Sequence, residues 1–255
     1  FLNSLLTYSQ SLSSVKLSKR IKETSGLELI EGGFLTINDK GNKPILYKLN
    51  EKGTIINSYN VNAENKDWES LASDGRGLYY VSDTGNNSFN RKILKILIVK
   101  EGHSNNFDLI GSIKLKINKE DKINIEGIAL VGNDIHLFNK NNSVIYVVPN
   151  KIDTYILENF KKQILPTDLL ITGADYDKVT DTMFLSCYNS SKKSSIIIIT
   201  NYSGIQLIET IKLEKIKGVE SIKLVDEKIY FTNEFNNQSK AKLSYIPFQK
   251  VKNKL

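Results

Sequence analysis

Residues 67–87 read DWESLASDGRGLYYVSDTGNN, and this stretch decides the fold because its pattern occurs five times along the chain. A short opener, here Glu69-Ser70-Leu71, begins an apolar run, and a closing residue, here Asp83, ends the next apolar run. The five openers are Ser25-Gly26-Leu27, Glu69-Ser70-Leu71, Glu126-Gly127-Ile128, Thr172-Gly173-Ala174 and Glu220-Ser221-Ile222. The closing residues, each 12 to 14 positions after the central Gly or Ser, are Asp39, Asp83, Asn139, Cys187 and Asn233.

The spacing of these copies predicts the architecture. Successive central positions are 44, 57, 46 and 48 residues apart, which is the period of a four-stranded β-propeller blade rather than of a helical solenoid. Turn residues such as Gly32-Gly33 and Lys52-Gly53 separate the apolar runs within each copy. The sequence therefore predicts an all-β fold, a five-bladed β-propeller, with a six-bladed ring as the alternative.

The last copy lacks an outer strand, and the N-terminal segment is predicted to supply it. The fifth copy provides strands only over 221–225, 228–232 and 243–247, and an open ring would leave unpaired strand edges. Residues 14–22 have the right length and directly precede the first opener. We expect them to pair with 243–247 and close a single domain over 14–255, with 1–13 as a tether or arm. In the third copy, we expect residues 154–157 to form the outer strand.

Composition limits the chemistry. Of the 255 residues, one is cysteine and two are histidine, so neither an intrachain disulfide nor a Cys/His zinc cluster can form within this chain. The net charge of +7 comes from Lys and Arg spread over nearly every strand and turn, which predicts solvated faces and no nucleic-acid partner. No apolar run reaches the roughly 18 residues of a membrane span. Because the first residue is Phe, we expect a removed signal peptide or lipid-anchored leader upstream.

Propeller geometry places the openers and the closing residues at one mouth. The start of the first strand and the end of the antiparallel second strand lie on the same face of each blade. The residues before the central positions form an inner ring of Ser25, Glu69, Glu126, Thr172 and Glu220. Crowded glutamates repel each other and lose hydration, which requires compensation. Glu69, Glu126 and Glu220 are therefore predicted to accept backbone hydrogen bonds from the adjacent blade, to bind a cation such as calcium, or to act as catalytic carboxylates without metal.

A second set of residues is predicted to form a ligand-binding wall around this mouth. Its members are Asp39, Trp68, Asp83, His136, Asn139 and Asn233. Trp68 is expected either to stack on a sugar or to cover the junction between blades. His136 is either a base near the axis or a packed strand residue. Cys187 has no histidine partner in the pattern and is predicted to be a packed, inert thiol.

The motifs also resemble a known family. Asp67-Trp68-Glu69-Ser70-Leu71-Ala72 with the following Leu78 to Asn87 is similar to the "DWEDLA … LYIGDxGNN" core of secreted or envelope-associated bacterial propeller-like proteins. Ile171-Thr172-Gly173-Ala174-Asp175-Tyr176 matches a second motif, and the resemblance extends over most of the chain from residue 25. It implies export and a propeller but no particular reaction. Ser70 stands where that family often has an acidic residue.

Two classes of function follow from these expectations. The first is a secreted or envelope-anchored binding or scaffold module, monomeric, whose acidic mouth holds a glycan, peptide or protein, with or without a bound cation. The second is a calcium-dependent hydrolase resembling gluconolactonase and paraoxonase propellers, in which the metal polarises an ester oxygen. The absence of a clear base in the ring favours the first class, and no catalytic residue is assigned.

Overall fold

The computed structural model describes residues 12–118, 120–160, 162–165, 167–189, 194–235 and 240–248. Regular structure in these residues is β-strand, apart from two short 3₁₀ helices at Lys19–Ile21 and Leu157–Asn159. The predicted all-β class is confirmed. Most of the predicted tether, residues 1–11, lies outside the described residues. Within the described chain, we find no helix with the length and apolar character needed to cross a membrane.

Strand β1 (Ser13–Lys16) opens the described chain, and the strands after it form antiparallel units that we name A to E. Unit A contains β2 (Thr24–Ile30), β3 (Gly33–Asn38), β4 (Ile45–Leu49) and β5 (Ile55–Val61). Unit B contains β6 (Trp68–Ser73), β7 (Leu78–Asp83), β8 (Ile93–Glu101) and β9 (Asn106–Lys116). Unit C contains β10 (Ile125–Val131), β11 (Asp134–Asn139), β12 (Val144–Pro149) and, after β13 (Thr154–Ile156), β14 (Lys162–Ile164). Unit D contains β15 (Leu170–Asp177), β16 (Thr182–Tyr188), β17 (Ser194–Asn201) and β18 (Gln206–Lys217). Unit E contains β19 (Val219–Val225), β20 (Lys228–Asn233) and β21 (Lys242–Pro247), with β1 as its fourth strand.

The N-terminal segment pairs with the last strand of the described chain. Strand β1 lies antiparallel to β21, with Ser13 opposite Tyr245 and Lys16 opposite Lys242. The predicted strand over 14–22 is nevertheless too long. Ser18 Oγ accepts a hydrogen bond from Arg20 N at 3.3 Å and caps the 3₁₀ helix that follows.

The third copy of the pattern corresponds to unit C, and the prediction that residues 154–157 form its outer strand is wrong, because this segment pairs with a different unit. Residues 154–156 do form a strand, β13, but it pairs in parallel with β9 of unit B, with Thr154 opposite Lys114. The outer position of unit C is taken by β14, where Ile164 lies opposite Val144. Units A and B are also joined directly, because β5 and β9 form a short parallel pair. Alternation of residue types predicts a strand but does not specify its neighbour.

The first strands of the units contact one another in a cycle, in the order β2, β6, β10, β15, β19 and back to β2. In the described residues, an apolar cluster fills the space between each pair of successive units, five clusters in all. The cluster between units E and A contains Leu17 and Ile21 beside Phe34, Tyr230 and Leu243. Each sheet is therefore buried against two neighbours, and the segment after β1 contributes to the last of these layers.

Candidate functional site

A β-bulge lies at the start of the first strand in every unit. In units B to E the extra residue is the predicted inner-ring residue itself, which is Glu69, Glu126, Thr172 or Glu220. A bulge leaves one residue out of the ladder and redirects its side chain, and bulges are common beside functional sites. The sequence pattern that predicted the inner ring is thus the signature of this bulge.

Unit A differs by one position. Its bulge falls at Gly26 rather than Ser25, which stays in register opposite Ile37. Gly26 has φ of +68°, and a Cβ built on it would lie 2.7 Å from Leu71 N, so glycine is required where the backbones of units A and B approach closely. Ser25 Oγ donates a hydrogen bond to the carbonyl oxygen of Glu69, which ties the two units together.

We call the end of the ring where first strands begin and second strands end the axial mouth. Besides the bulge residues, it is lined by residues at or directly after the ends of the second strands. These are Asp39, Thr84, Lys140, Tyr188 and Glu234. Sequence reasoning missed Lys140, Tyr188 and Glu234. The signal that would have identified them is their position, because each directly follows a predicted closing residue.

Lys140 supplies positive charge inside the acidic mouth. Its Nζ lies 2.6 Å from Glu126 Oε2 and 5.2 Å from the centre of the Tyr188 ring, and its side chain is 14% exposed. Glu126 Oε1 also accepts a hydrogen bond from Asn124 Nδ2 at 2.9 Å. Burial lowers the pKa of Lys140, but the Glu126 and Glu220 carboxylates outweigh burial and raise that pKa above its ordinary value. Lys140 therefore remains an ammonium group.

Glu69 is a buried carboxylate without a partner. It is only 6% exposed, and within the described residues no hydrogen bond or ion pair reaches its side chain. Burial, together with the neighbouring Glu126 and Asp67 carboxylates, raises the pKa of Glu69 well above its ordinary value. A Cβ built on Gly85 would lie 2.2 Å from Glu69 Oε1 and 2.7 Å from Asp67 Oδ2, so both carboxylates approach one backbone position.

Asp67 adds a second buried acid beside Glu69. It is 3% exposed, and the nearest cation in the described chain is Lys40 Nζ at 4.0 Å, on a side chain that is 64% exposed. Burial raises the pKa of Asp67, although Lys40 and Arg91 oppose that rise. Sequence reasoning quoted Asp67 in the motif but did not include it in the site.

Other carboxylates of the mouth are shifted in the same direction. Burial and the neighbouring Glu23 and Asp67 raise the pKa of Asp39 to about 7. Burial, Asp39 and Glu126 raise the pKa of Glu234 to about 8. Each of these groups loses hydration and faces other acids, so the mouth favours their protonated forms unless a cation is bound there.

The predicted closing residues Asp83 and Asn139 are hydrogen-bonded within the protein. Asp83 Oδ1 accepts hydrogen bonds from Asp67 N at 2.9 Å and from Arg91 Nη2 at 3.1 Å. Asn139 Oδ1 accepts from Asn124 N at 2.9 Å, and its amide donates to the Lys122 carbonyl oxygen before β10 and to Asn142 Oδ1 after β11. Both side chains are buried and hold the chain before the bulge against the end of the second strand.

In unit A, the equivalent of these turn residues is Asn38 rather than the predicted Asp39. Asn38 lies opposite Thr24, as Asp83 lies opposite Trp68, and its Oδ1 accepts a hydrogen bond from Glu23 N at 3.3 Å. The adjacent Asn38-Asp39 pair offers two suitable residues, and the pattern selected the wrong one. Asp39 instead belongs to the residues that line the mouth.

The remaining two closing residues are also buried. Asn233 donates from Nδ2 to the carbonyl oxygens of Glu234 and Lys240, and its Oδ1 has no hydrogen-bond partner in the described part of the chain. Cys187 is fully buried, and burial raises the pKa of its thiol. This environment agrees with the predicted packed thiol.

Trp68 and His136 lie buried between units. Trp68 is fully buried, packs in the cluster between units A and B, and donates from Nε1 to the carbonyl oxygen of Glu64 at 3.2 Å. It covers a junction between units and offers no face for a sugar. His136 bonds through Nδ1 to the Tyr202 hydroxyl, and burial lowers the pKa of its ring to about 4. It packs between units C and D and not at the axis.

The three predicted metal-ligating glutamates do lie near one another. Electrostatic interaction of Glu126 with both Glu69 and Glu220 raises the pKa of these two acids. Among the described residues, however, no group of three or more His, Cys, Asp or Glu side chains has an arrangement suited to a metal ion. One of the three carboxylates is bound to the Lys140 ammonium. Calcium at this mouth stays a prediction of the sequence.

Comparison with known proteins agrees with the fold. The chain matches no protein-family model and no curated protein. Among solved structures, a luciferin-regenerating enzyme is similar with a TM-score of 0.53 and 10% identity, over 94% of this chain and 96% of the enzyme. At this identity the similarity concerns the fold alone.

Two further structures are similar at lower scores. A Bacteroides fragilis protein named as exported has a TM-score of 0.47 and 11% identity, over 98% of both chains. The WD40 repeats of RRP9 have a TM-score of 0.45 and 9% identity, over 89% of this chain and 67% of that one. Because both TM-scores are below 0.5, neither similarity identifies the fold by itself. The fold is β-propeller-like and all-β.

Proposed function

We propose that the chain is a five-bladed β-propeller, closed by β1, and that it acts as a binding module through its axial mouth. The cyclic contacts of the first strands and the apolar layer between each pair of neighbouring units support this architecture. The pairing of β1 with β21 supports closure, because it covers an edge that would otherwise be open.

One observation carries the functional part of the proposal, namely the unpartnered buried carboxylate of Glu69. A buried charge without a partner is costly, and binding a cationic group is one way to recover that cost. Asp67 beside it adds a second buried acid that a bound cation would stabilise in its charged form. Among the described residues, the cation within 4.0 Å of Asp67 is the exposed Lys40. The Lys140 ammonium, which lowers the pKa of Glu69, is already bonded to Glu126. The mouth is therefore suited to a positively charged ligand group.

The group that fits best is an ammonium or guanidinium of a small molecule, a peptide or a partner protein. Lys140 occupies the same mouth as an ammonium group, bonded to Glu126 and placed over the ring of Tyr188. A ligand cation beside Glu69 and Asp67 gains equivalent charge-assisted hydrogen bonds. A glycan without such a group gains none of them.

We infer from the resemblance of residues 67–87 to secreted and envelope proteins that this module acts outside the cytoplasm, and we further propose that it is a monomer. Fractionation of cells that express the full-length natural protein tests the location, and light scattering tests the oligomeric state. Recovery in the cytoplasmic fraction, or a dimer in solution, contradicts the corresponding part of this inference.

Titration calorimetry with hexylamine as a cationic probe tests the binding function. Wild-type protein should bind the probe, and Glu69→Gln should weaken binding at least about tenfold, as expected from the loss of a charge-assisted hydrogen bond. Glu51→Gln is the matched control, because Glu51 is exposed in the turn between β4 and β5. Absence of binding, or equal affinity in wild type and Glu69→Gln, rejects the assignment.

A further inference from the structure

A second cavity adjoins the axial mouth and has the opposite charge. It has a volume of about 460 Å³ and lies between the end of unit A and the loop that follows β7. Four cationic side chains line it, Lys40, Lys66, Arg91 and Lys92, and its single acidic lining residue is Asp67. The rest of the lining comes from the loop after β7 and the start of β8, namely Asn86, Asn87, Ser88, Asn90 and Ile93.

Arg91 gives this cavity a fixed cationic wall. Its Nη1 donates to the Gly85 carbonyl oxygen at 2.7 Å, and its Nη2 donates to Asp83 Oδ1 at 3.1 Å. The side chain is 16% exposed, so its position is set before any ligand arrives. Next to it, Lys92 is exposed, and its ammonium has no ion-pair partner in the described part of the chain. Lys66 is also largely exposed and lies 3.5 Å from the exposed Glu64 carboxylate. The cavity therefore offers two exposed lysines to an anionic group, beside a fixed guanidinium.

The acidic mouth and the basic cavity share a wall. Asp67 lines the cavity, and its carboxylate approaches Gly85 together with that of Glu69. Lys40, which also lines the cavity, lies 4.0 Å from Asp67. Negative and positive surfaces therefore meet at one point, where a single small molecule can contact both.

We propose that the ligand is a zwitterion that carries both an ammonium and a carboxylate group. The ammonium binds beside Glu69 and Asp67, and the carboxylate binds in the basic cavity against Lys66 and Lys92. This assignment rests on the proposed function, which provides the ammonium site. It adds the class of ligand, an amino-acid-like molecule or a peptide end, and it assigns a role to a cavity that the acidic mouth alone does not explain.

Calorimetric titration with a matched series of probes tests the proposal. The series contains hexylamine, hexanoate, and the ω-amino acids from glycine to 8-aminooctanoate, so that charge and span vary separately. At least one amino acid should bind about tenfold more tightly than hexylamine, the gain expected from one additional charge-assisted contact. Lys66→Gln and Lys92→Gln should reduce the ratio of amino-acid affinity to hexylamine affinity, because each removes a charge from the carboxylate site and none from the ammonium site. Lys178→Gln, an exposed lysine on the turn after β15, is the control.

The outcomes separate this inference from the function on which it rests. If hexylamine binds and no ω-amino acid binds more tightly, the zwitterion proposal is overturned while the cationic site stands. If the gain survives in both lysine variants, the carboxylate does not occupy the basic cavity, and the proposal is likewise overturned. If neither hexylamine nor any amino acid binds, both proposals fail.

Discussion

Two buried lysines, Lys223 and Lys140, lie at opposite ends of the first strands and form different ion-pair networks. Lys223, near the end of β19, has two carboxylates within reach, because its Nζ lies 2.7 Å from Glu28 Oε1 and 2.8 Å from Asp175 Oδ1. At the axial mouth, Lys140 pairs with one carboxylate, while Glu69 has no partner in the described part of the chain. One end is thus a satisfied ionic network and the other retains negative charge. This contrast is the reason to place ligand binding at the mouth.

Removing the Lys223 ammonium should destabilise the protein strongly. Lys223→Ala leaves Glu28 and Asp175 buried without a counter-ion, and such a loss costs about 3–5 kcal/mol. Urea unfolding measures the change in the free energy of unfolding. The triple variant Lys223→Met, Glu28→Gln, Asp175→Asn removes all three charges and should recover most of the loss. A loss below about 1 kcal/mol, the size expected for a surface pair, contradicts this description of the network.

Stability should fall as the pH rises through neutrality. Burial and neighbouring acids raise the pKa of Asp39 to about 7 and of Glu234 to about 8, from ordinary values of 3.8 and 4.5. A raised pKa in the folded state means that folding favours the protonated form. The stability from these groups is therefore complete in acid and is lost as the pH rises through about 7 and 8.

Urea unfolding between about pH 6.5 and pH 9, above the range in which the lowered pKa of His136 changes stability, measures this dependence through the linkage of proton binding to folding. Asp39→Asn and Glu234→Gln should each reduce the slope of stability against pH, whereas the exposed Glu51→Gln should not. Stability that rises over this window, or slopes that the two mouth variants leave unchanged, would show that these carboxyls are not perturbed as described.

The strand openers illustrate what sequence can and cannot specify about a structural element. The five-copy pattern predicted the inner ring because a bulge needs a recognisable local sequence, and four of its residues, including Glu69 and Glu126, are bulge residues. It chose Asp39 over Asn38 because adjacent polar residues carry the same turn signal. It could not place Trp68 as buried, since whether an aromatic beside a site faces ligand or core depends on the neighbouring unit.

The segment that contains β1 should matter more for stability than the residues before it. Deleting residues 1–22 removes the β1 to β21 pairing and the buried side chains of Leu17 and Ile21. Deleting residues 1–12 leaves all of these contacts in place. The longer deletion should lower the melting temperature by about 10 °C or more, from the lost apolar burial alone.

A point substitution tests the same segment even if the longer deletion does not fold. Ile21 is fully buried between units E and A, so Ile21→Ala should cost about 2–5 kcal/mol in the free energy of unfolding. Equal melting temperatures for the two deletions, or an Ile21→Ala variant as stable as wild type, would mean that this segment does not close the ring.

At the scale of the molecule, the sequence predicted the strands well but their partners less well. The period and the turn residues are local properties, and they predicted the units and the missing outer strand that β1 supplies. The parallel pairing of β13 with β9 connects residues far apart in the chain and leaves no local signal. The ion pairs of the mouth are likewise non-local. Lys140 followed a predicted closing residue, but only the assembled ring brings it between acids of different units.

Lys140 interacts with residues of three units at the axial mouth, so its ion pair with Glu126 should contribute to the stability of the whole molecule. Lys140 and Glu126 lie in unit C, and the ammonium also contacts Tyr188 of unit D and interacts with Glu220 of unit E. Glu126→Gln removes the charge that holds Lys140, and it should cost about 1–3 kcal/mol in the free energy of unfolding. Because Lys140 already provides a cation at Glu126, we expect the same loss with and without about 5 mM calcium, which exceeds the roughly millimolar Kd of weak extracellular sites. Calorimetric melting of wild type and Glu126→Gln, with and without calcium, measures this loss of stability. Calcium stabilisation of wild type that disappears in Glu126→Gln would instead support the calcium site that the three glutamates predict.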